Sequence, residues 1–382
     1  LNPQSDIEPL ARLPEEWRAE LTRMGEPRYR ADQVFGWIHA RGVTDASEMT
    51  NLPKRLRQRL ATSGLSPALE VAHNHRSEDG TRKLVVRMQD GAAVETVLLP
   101  VKKRSRILDA DAAVADLEDE DAEGETRVTQ CISTQVGCAM GCVFCASGVA
   151  GLKRQMTPAE IVSQVLAARA LLEPGEAIRN VVFMGMGEPL HNYEATERVI
   201  RLLSHPEGLN LSPRRITVST SGLVPEIDRL GEAFDGRVSL AISLHQADDA
   251  ARSRLMPINK KHPLSELMGA LRRYPLRRGR RITIEYTLVE GQNDDTADAE
   301  RLVKLLAGLP VKVNVIPMNP IAHSELGPPQ DDRVLRFQDR LKKGGLLCFV
   351  RRRRGDDVAA ACGQLALEGA GPNASFTRRQ PR

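Results

Sequence analysis

Gln135-Val-Gly-Cys138-Ala-Met-Gly-Cys142-Val-Phe-Cys145 decides how the rest of the 382-residue chain is read. Three of the six cysteines fall within eight residues, a spacing that favours a metal centre over disulfides. Three thiolates on one tight loop can hold three irons of a cubane cluster, for which Cys is the usual ligand. The fourth iron is then left open to the amino and carboxylate groups of a substrate. Structural zinc is the rival reading, but it wants a closed set of four ligands. No further His or Cys lies close enough in sequence to complete one. Gly137, Gly141 and Gly148 loosen the loop so that backbone amides can approach cluster sulfurs, and Phe144 is placed to shield the cluster from water.

Outward from this loop the pattern is regular. Short apolar, β-branched runs at 127–133, 180–184, 215–219, 238–243, 281–288 and 311–316 read as strands buried on both faces. Helical periodicity fills the gaps at 158–172, 193–203, 224–234, 264–274 and 295–306. Alternating strands and helices predict parallel βαβ units in an α/β fold. Six units are too few for a closed eight-unit barrel, so the expectation is a partial (β/α)6 barrel, with a doubly wound sheet as the alternative. A last helix at 331–343 and strand at 346–351 follow.

Before the barrel, 1–65 reads as a small helical RNA-binding module, with helices at 14–24, 30–41 and 52–60. Runs at 68–73, 81–88 and 93–100 read as strands, the last two joined by a hairpin at Gln89-Asp90-Gly91, making 66–101 a β-hairpin extension. The segment 102–127 reads as an acidic mobile insert. The segment 351–366 carries Cys362, and 367–382 reads as a disordered basic tail.

Hydrophobic residues make up 41% of the chain and aromatics only 3%, so aliphatic side chains must build the core. The net charge of +4 hides an asymmetry. The stretch 109–125 holds nine acidic and no basic residues, so the remainder is far more basic than the total suggests. Basic clusters at 54–59, 272–281 and 351–354 suit a polyanionic partner. No apolar run of about 18 residues occurs, and no apolar leader follows the polar residues 1–7. The expectation is a cytoplasmic protein, without a membrane partner, whose thiols stay reduced. The absence of heptads predicts a monomer.

Polar groups recur at the ends of the strand runs. Met184-Gly-Met-Gly187-Glu188-Pro189 follows the second, Ser219-Thr-Ser-Gly222 ends the third, Ser243-Leu244-His245 the fourth, and Asn319 follows the sixth. Each could be an ordinary turn or cap. Together they ring the C-terminal mouth, where sites of such folds sit. Cys348 reads as a small buried hydrophobe. Cys131 lies seven residues before the cluster loop. Cys362, beside Gly363, reads as a thiol on a flexible, exposed loop and therefore reactive.

The Cys138–Cys145 loop resembles that of the radical S-adenosylmethionine (SAM) superfamily. Four stretches resemble, more narrowly, the dual-specificity 23S rRNA/tRNA adenine-C2 methyltransferase family, RlmN: 25–33 (GEPRYRADQ), 94–100 (VETVLLP), 135–145, and Arg354-Gly-Asp-Asp through Cys362-Gly-Gln-Leu365. The resemblance implies a 4Fe–4S cluster on Cys138, Cys142 and Cys145, with SAM on the fourth iron. It implies SAM contacts at Gly187, Glu188, Ser219, Ser243, Leu244, His245 and Asn319. It also implies two methyl transfers. One SAM methylates Cys362; a second is cleaved to a radical that takes hydrogen from that S-methyl group, and the carbon then adds to adenine C2. Glu95 matches the family's proton acceptor, although by itself it reads as a surface carboxylate. Cys131 would resolve the protein–RNA adduct through a transient disulfide with Cys362. The implied partners are 23S rRNA, tRNA and a one-electron reductant such as flavodoxin or ferredoxin. Ser147 stands where the family pattern has Thr. Competing expectations are an adenine-C8 methyltransferase of the same superfamily, a radical SAM enzyme acting on a small molecule or protein, and a non-catalytic Fe–S or zinc RNA-binding protein.

Overall fold

The computed structural model describes residues 7–101, 125–321, 324–351 and 354–365. Most of the acidic insert and all of the basic tail anticipated above lie outside the described residues. Twelve strands are present among those described: β1 Leu69–Arg76, β2 Arg82–Met88, β3 Ala93–Val101, β4 Thr126–Cys131, β5 Gln135–Val136, β6 Arg154–Gln155, β7 Glu176–Phe183, β8 Ile216–Thr220, β9 Ser239–Ser243, β10 Ile282–Leu288, β11 Val311–Pro317 and β12 Leu347–Val350. Ten of them form one sheet in the order β1-β2-β3-β4-β7-β8-β9-β10-β11-β12. Only β5 and β6 stand apart, as a short ribbon flanking the cysteine loop.

From β4 to β12 neighbouring strands in the sheet pair in parallel. The parallel strands therefore number seven, one more than the six expected, because the last strand run continues the sheet beside β11. The N-terminal hairpin is more than an extension: β3 pairs antiparallel with β4, placing Val97 opposite Cys131, so the hairpin and the α/β region share one sheet.

Helices alternate with the strands: α1 Pro14–Arg23, α2 Arg30–Phe35, α3 Lys54–Thr62, α4 Ala146–Ala150, α5 Pro158–Arg169, α6 Tyr193–Ser204, α7 Val224–Phe234, α8 Asp249–Leu255, α9 Leu264–Arg273, α10 Thr296–Leu306 and α11 Asp331–Lys343. Their starts follow from local chemistry. Thr157 and Glu160 form a reciprocal capping box at α5, and Asp295 accepts from the Asp298 amide at 2.7 Å to open α10. Helix α5 is buried on nearly every side. It packs against α6, the first hairpin and a turn at Pro9–Ala11, which is why its sequence shows no polar stripe. Two arginines fasten the N-terminal module to the barrel. Arg169 donates to the carbonyls of His39 and Ala40 at 2.8 and 2.7 Å, and Arg198 pairs with Glu16 at 2.8 Å. Among the described residues no helix is long and apolar enough to cross a membrane.

Candidate active site

The C-terminal ends of the parallel strands surround one cavity. Cys138, Cys142 and Cys145 enter from the loop after β5. Gly187 and Glu188 come from the turn after β7, Ser219 and Ser221 from β8 and its end, Ser243 and His245 from β9 and the turn beyond, Glu285 and Thr287 from β10, and Asn319 from beyond β11. Cys362 closes it from the C-terminal segment. Of the anticipated SAM contacts only Leu244 does not line it. That side chain is fully buried in the core, while its carbonyl accepts from Arg252 Nε at 3.0 Å.

The cysteine loop is shaped by close backbone approach. A Cβ on Gly148 would lie 2.7 Å from the Cys142 carbonyl oxygen, so only glycine lets α4 fold back against the loop. Phe144 packs edge-on to His245, with ring centroids 4.7 Å apart, and joins Leu255, Met256, Val289, Met318 and Ile321 in a small apolar cluster. Desolvation in these walls pushes all three thiols up, Cys138 to about 12. Such thiols stay neutral in water-excluded surroundings and become thiolates when a metal binds them. Three cysteine side chains from one loop line an apolar-walled cavity, and Cys thiolates are the usual ligands of a cubane cluster, so the donor set and its enclosure fit one.

Glu188 is buried and fixed by the backbone. Its two oxygens accept from the amides of Ser221 and Leu190 at 2.7 and 3.1 Å, and its own amide donates to Gln135 Oε1 at 2.8 Å. Burial raises its pKa, and those amides pull it back. Gly187 has φ 101°, and a Cβ there would meet Gln135 Cβ at 2.6 Å, so no other residue fits the turn. His245 Nδ1 accepts from the Thr287 amide at 2.9 Å, which puts the ring proton on Nε2. Desolvation first, then the Arg252 charge, lowers its pKa to about 3. It is a neutral donor at physiological pH. The Ser221 side chain is buried beside Glu188 and lines the cavity.

Arg252, which sequence reasoning missed, ties the mouth together. The residue is 1% exposed, and its guanidinium donates to the carbonyls of Ser221, Ser243 and Leu244 and to Asn259 Oδ1, at 2.7–3.1 Å. It clamps the ends of β8 and β9. An arginine in DAARSRL reads as solvated, and no sequence pattern marked this one.

A second cavity adjoins the first. Cys131, Val97, Leu99, Arg354 and Ala360 line it, and Met184, Ile316, Asn319, Arg351 and Cys362 belong to both. Cys362 thus stands in the shared wall, facing the cluster loop on one side and Cys131 on the other. Burial, with the nearby Cys362, pushes the Cys131 thiol up to about 12. No disulfide joins them.

Cys362 does not sit on the flexible, exposed loop expected from its glycine. It is half-buried, and its segment is held at both ends. Asn319 Nδ2 donates to the Cys362 carbonyl at 2.8 Å, the Ala146 amide to the Gly363 carbonyl at 2.9 Å, and Ser147 Oγ to the Leu365 carbonyl at 2.5 Å. At the other end Ser77 Oγ donates to Asp357 at 2.5 Å, the Gly355 amide to Asp79 at 3.1 Å, and Arg354 to the Pro100 carbonyl at 2.8 Å. Glu95 is no surface carboxylate either. It is 1% exposed and pairs with Lys83 Nζ at 2.9 Å. It lies on the same face of β3 as Val97, and Lys83 Nζ also reaches the Ala359 carbonyl. The C-terminal segment therefore lies over this pair and buries it.

Comparison with known proteins agrees with this geometry. Residues 132–303 match the model of the radical SAM superfamily, and residues 14–64 match that of the ribosomal RNA large subunit methyltransferase N-terminal domain. The chain is 66% identical over 377 residues to the dual-specificity RNA methyltransferase RlmN of Sorangium cellulosum, covering 96% of this chain and 97% of that one. It is 46% identical over 371 residues to the protein of the same name from Anaeromyxobacter dehalogenans, covering 95% and 93%. A crystal structure of a radical SAM methyltransferase from Sphaerobacter thermophilus superposes with a TM-score of 0.84 at 44% identity, covering 94% of this chain and 99% of that one. With relatives this similar over nearly its whole length, the chain belongs to the RlmN family of the radical SAM superfamily.

Proposed function

We propose that this chain methylates C2 of adenine in 23S rRNA and tRNA, in the cytoplasm, by passing the carbon through Cys362. The observation that carries the reading is the position of Cys362 in the wall between two cavities, one holding the cysteine loop and the other Cys131. The superfamily implies a 4Fe–4S cluster and SAM. Cys138, Cys142 and Cys145 would hold the cluster, which, reduced by an external one-electron donor such as flavodoxin or ferredoxin, supplies the electron that splits SAM. Gly187 and Glu188 would receive the methionyl ammonium of SAM. Ser219, Ser243, the Nε2–H of His245, the Leu244 backbone and Asn319 would line its nucleoside end.

The remaining steps belong to the chain's own residues. The Cys362 thiolate takes a methyl from one SAM by displacement, leaving S-adenosylhomocysteine. After hydrogen abstraction from that S-methyl group, the carbon joins adenine C2, a position too electron-poor for ordinary methyl transfer. Glu95, on the sheet face beneath the segment, accepts the C2 proton, and the one electron that the adduct must also lose would return to the cluster, so the ring regains its aromaticity. Cys131, as the thiolate, then attacks the Cys362 sulfur: the disulfide forms, the S–CH2 bond breaks, and the released carbon takes a proton to become the methyl group of the freed base. An external thiol reductant later restores both cysteines. A base can reach this enclosed site only by leaving its stack.

Cys362→Ala tests the proposal. The variant should load the cluster and cleave SAM yet yield no 2-methyladenosine by mass spectrometry of digested RNA. Normal methylation would remove Cys362 from the pathway. Finding 8-methyladenosine alone in the wild-type product would assign the sister C8 activity.

A further inference from the structure

The N-terminal module carries a surface strip that the catalytic reading does not use. Arg30 stacks over Tyr29, its guanidinium 4.9 Å from the ring centroid, and donates to the Asn51 carbonyl at 2.9 Å. Trp37 Nε1 donates to Asn51 Oδ1 at 2.6 Å, and Arg41 lies over the indole at 4.1 Å. These contacts chain Tyr29, Arg30, Asn51, Trp37 and Arg41 into one continuous surface. Tyr29 is 55% exposed, whereas the other three tyrosines are exposed by 5% or less. In a chain this poor in aromatics, leaving such a ring in water costs burial that the core could use.

We infer that this strip is a stacking platform for unpaired nucleotides of the RNA substrate, remote from the base being methylated. The inference rests on the RNA methyltransferase reading. Residues 28–59 hold seven Lys or Arg against three Asp or Glu, so the surroundings favour a polyanion. Arg30 covers one side of the exposed Tyr29 ring, while Trp37 is partly buried against the core with Arg41 over it, so Tyr29 is the ring that offers itself to a base and Trp37 anchors the strip beside it. Alternating aromatic and guanidinium planes are what single-stranded nucleic acid stacks on, and the contact is tolerant of sequence. That tolerance suits a grip shared by two different RNAs. A duplex would offer only phosphates here and would have no use for an exposed ring.

The test is fluorescence anisotropy of the cluster-loaded, full-length protein with an unmodified tRNA transcript at two salt concentrations. Tyr29→Leu should weaken binding fivefold or more, corresponding to about 1–3 kcal/mol of stacking per base, and Tyr29→Phe should stay within about twofold. Arg41→Gln should lower the salt slope by about one. Trp37 fluorescence should be quenched on binding, while the fully buried Trp17 supplies a constant background. Unchanged melting temperatures would tie these effects to the surface. Wild-type affinity in Tyr29→Leu at both salts would overturn the platform while leaving the RNA reading intact. Failure of the wild type to bind tRNA would bring down both. Quenching by polyglutamate and not by tRNA would assign the strip to an acidic protein and overturn it as well.

Discussion

Ser147 offers a direct way to loosen the Cys362 segment. Its hydroxyl is buried and donates to the Leu365 carbonyl at 2.5 Å, and Leu365 is 5% exposed. Ser147→Ala removes this bond and leaves a buried carbonyl without its donor, a loss of about 1–2 kcal/mol. The loss falls on the docked state alone, because the undocked segment is solvated in both proteins. The undocked population should therefore rise roughly 5- to 30-fold. The tethers from Asn319 and the Ala146 amide remain, so the effect stays local. Hydrogen–deuterium exchange by mass spectrometry, on the peptide covering 354–365, should show the amides of Ala360 and Gln364 exchanging faster by that factor, with the barrel strands unchanged. Ser147→Thr keeps the hydroxyl and should stay near the wild type. Unchanged exchange in Ser147→Ala, or equal acceleration across the barrel, would refute local tethering.

Arg252→Met should cost about 3–5 kcal/mol, because three strand-end carbonyls lose their common donor in a buried site, and thermal unfolding of the cluster-loaded enzyme would register it as a large drop in Tm. Gly187→Ala forces a side chain into Gln135 at a φ of 101° and should lose roughly 1–3 kcal/mol together with SAM affinity, read by calorimetry. Acid should destabilise the fold through two buried imidazoles. His39 and His245 have pKa values lowered to about 3, against 6.5 when unfolded, so the unfolded chain binds more protons as pH falls below 6.5. Each should remove about 1.4 kcal/mol per pH unit between roughly pH 5.5 and 4. Urea midpoints across that window should show the slope, and His39→Gln should reduce it by about half of the imidazole contribution.

Where hydrophobic periodicity is strong, the elements were legible with their ends uncertain by up to four residues: β7 starts at Glu176 against an expected 180, and α5 ends at Arg169 against an expected 172. The helix expected at 224–234 coincides with α7, and the strand expected at 281–288 starts one residue early. Helix α8 was missed because DAARSRL has no apolar stripe; its buried residues are Leu255 and Arg252, and the partners of Arg252 are carbonyls at the ends of two strands. The cysteine loop and the strand-end polar groups could be read because consecutive residues set them. Glu95 and Cys362 were misjudged for one reason. Glu95 is buried by a segment more than 250 residues downstream, and that segment is ordered by the turn at Ser77 and by the cysteine loop. No local window contains either contact.

The docking of this segment bears on how the molecule is made. Ser77 meets Asp357 across 280 positions and Ser147 meets Leu365 across 218. Contacts of such separation form late in folding. During synthesis the sheet can assemble from its N-terminal strands onward, but the Cys362 segment can dock only after β12 and the residues beyond it have emerged. A chain ending before Arg354 should therefore keep its sheet yet leave the Glu95–Lys83 pair uncovered.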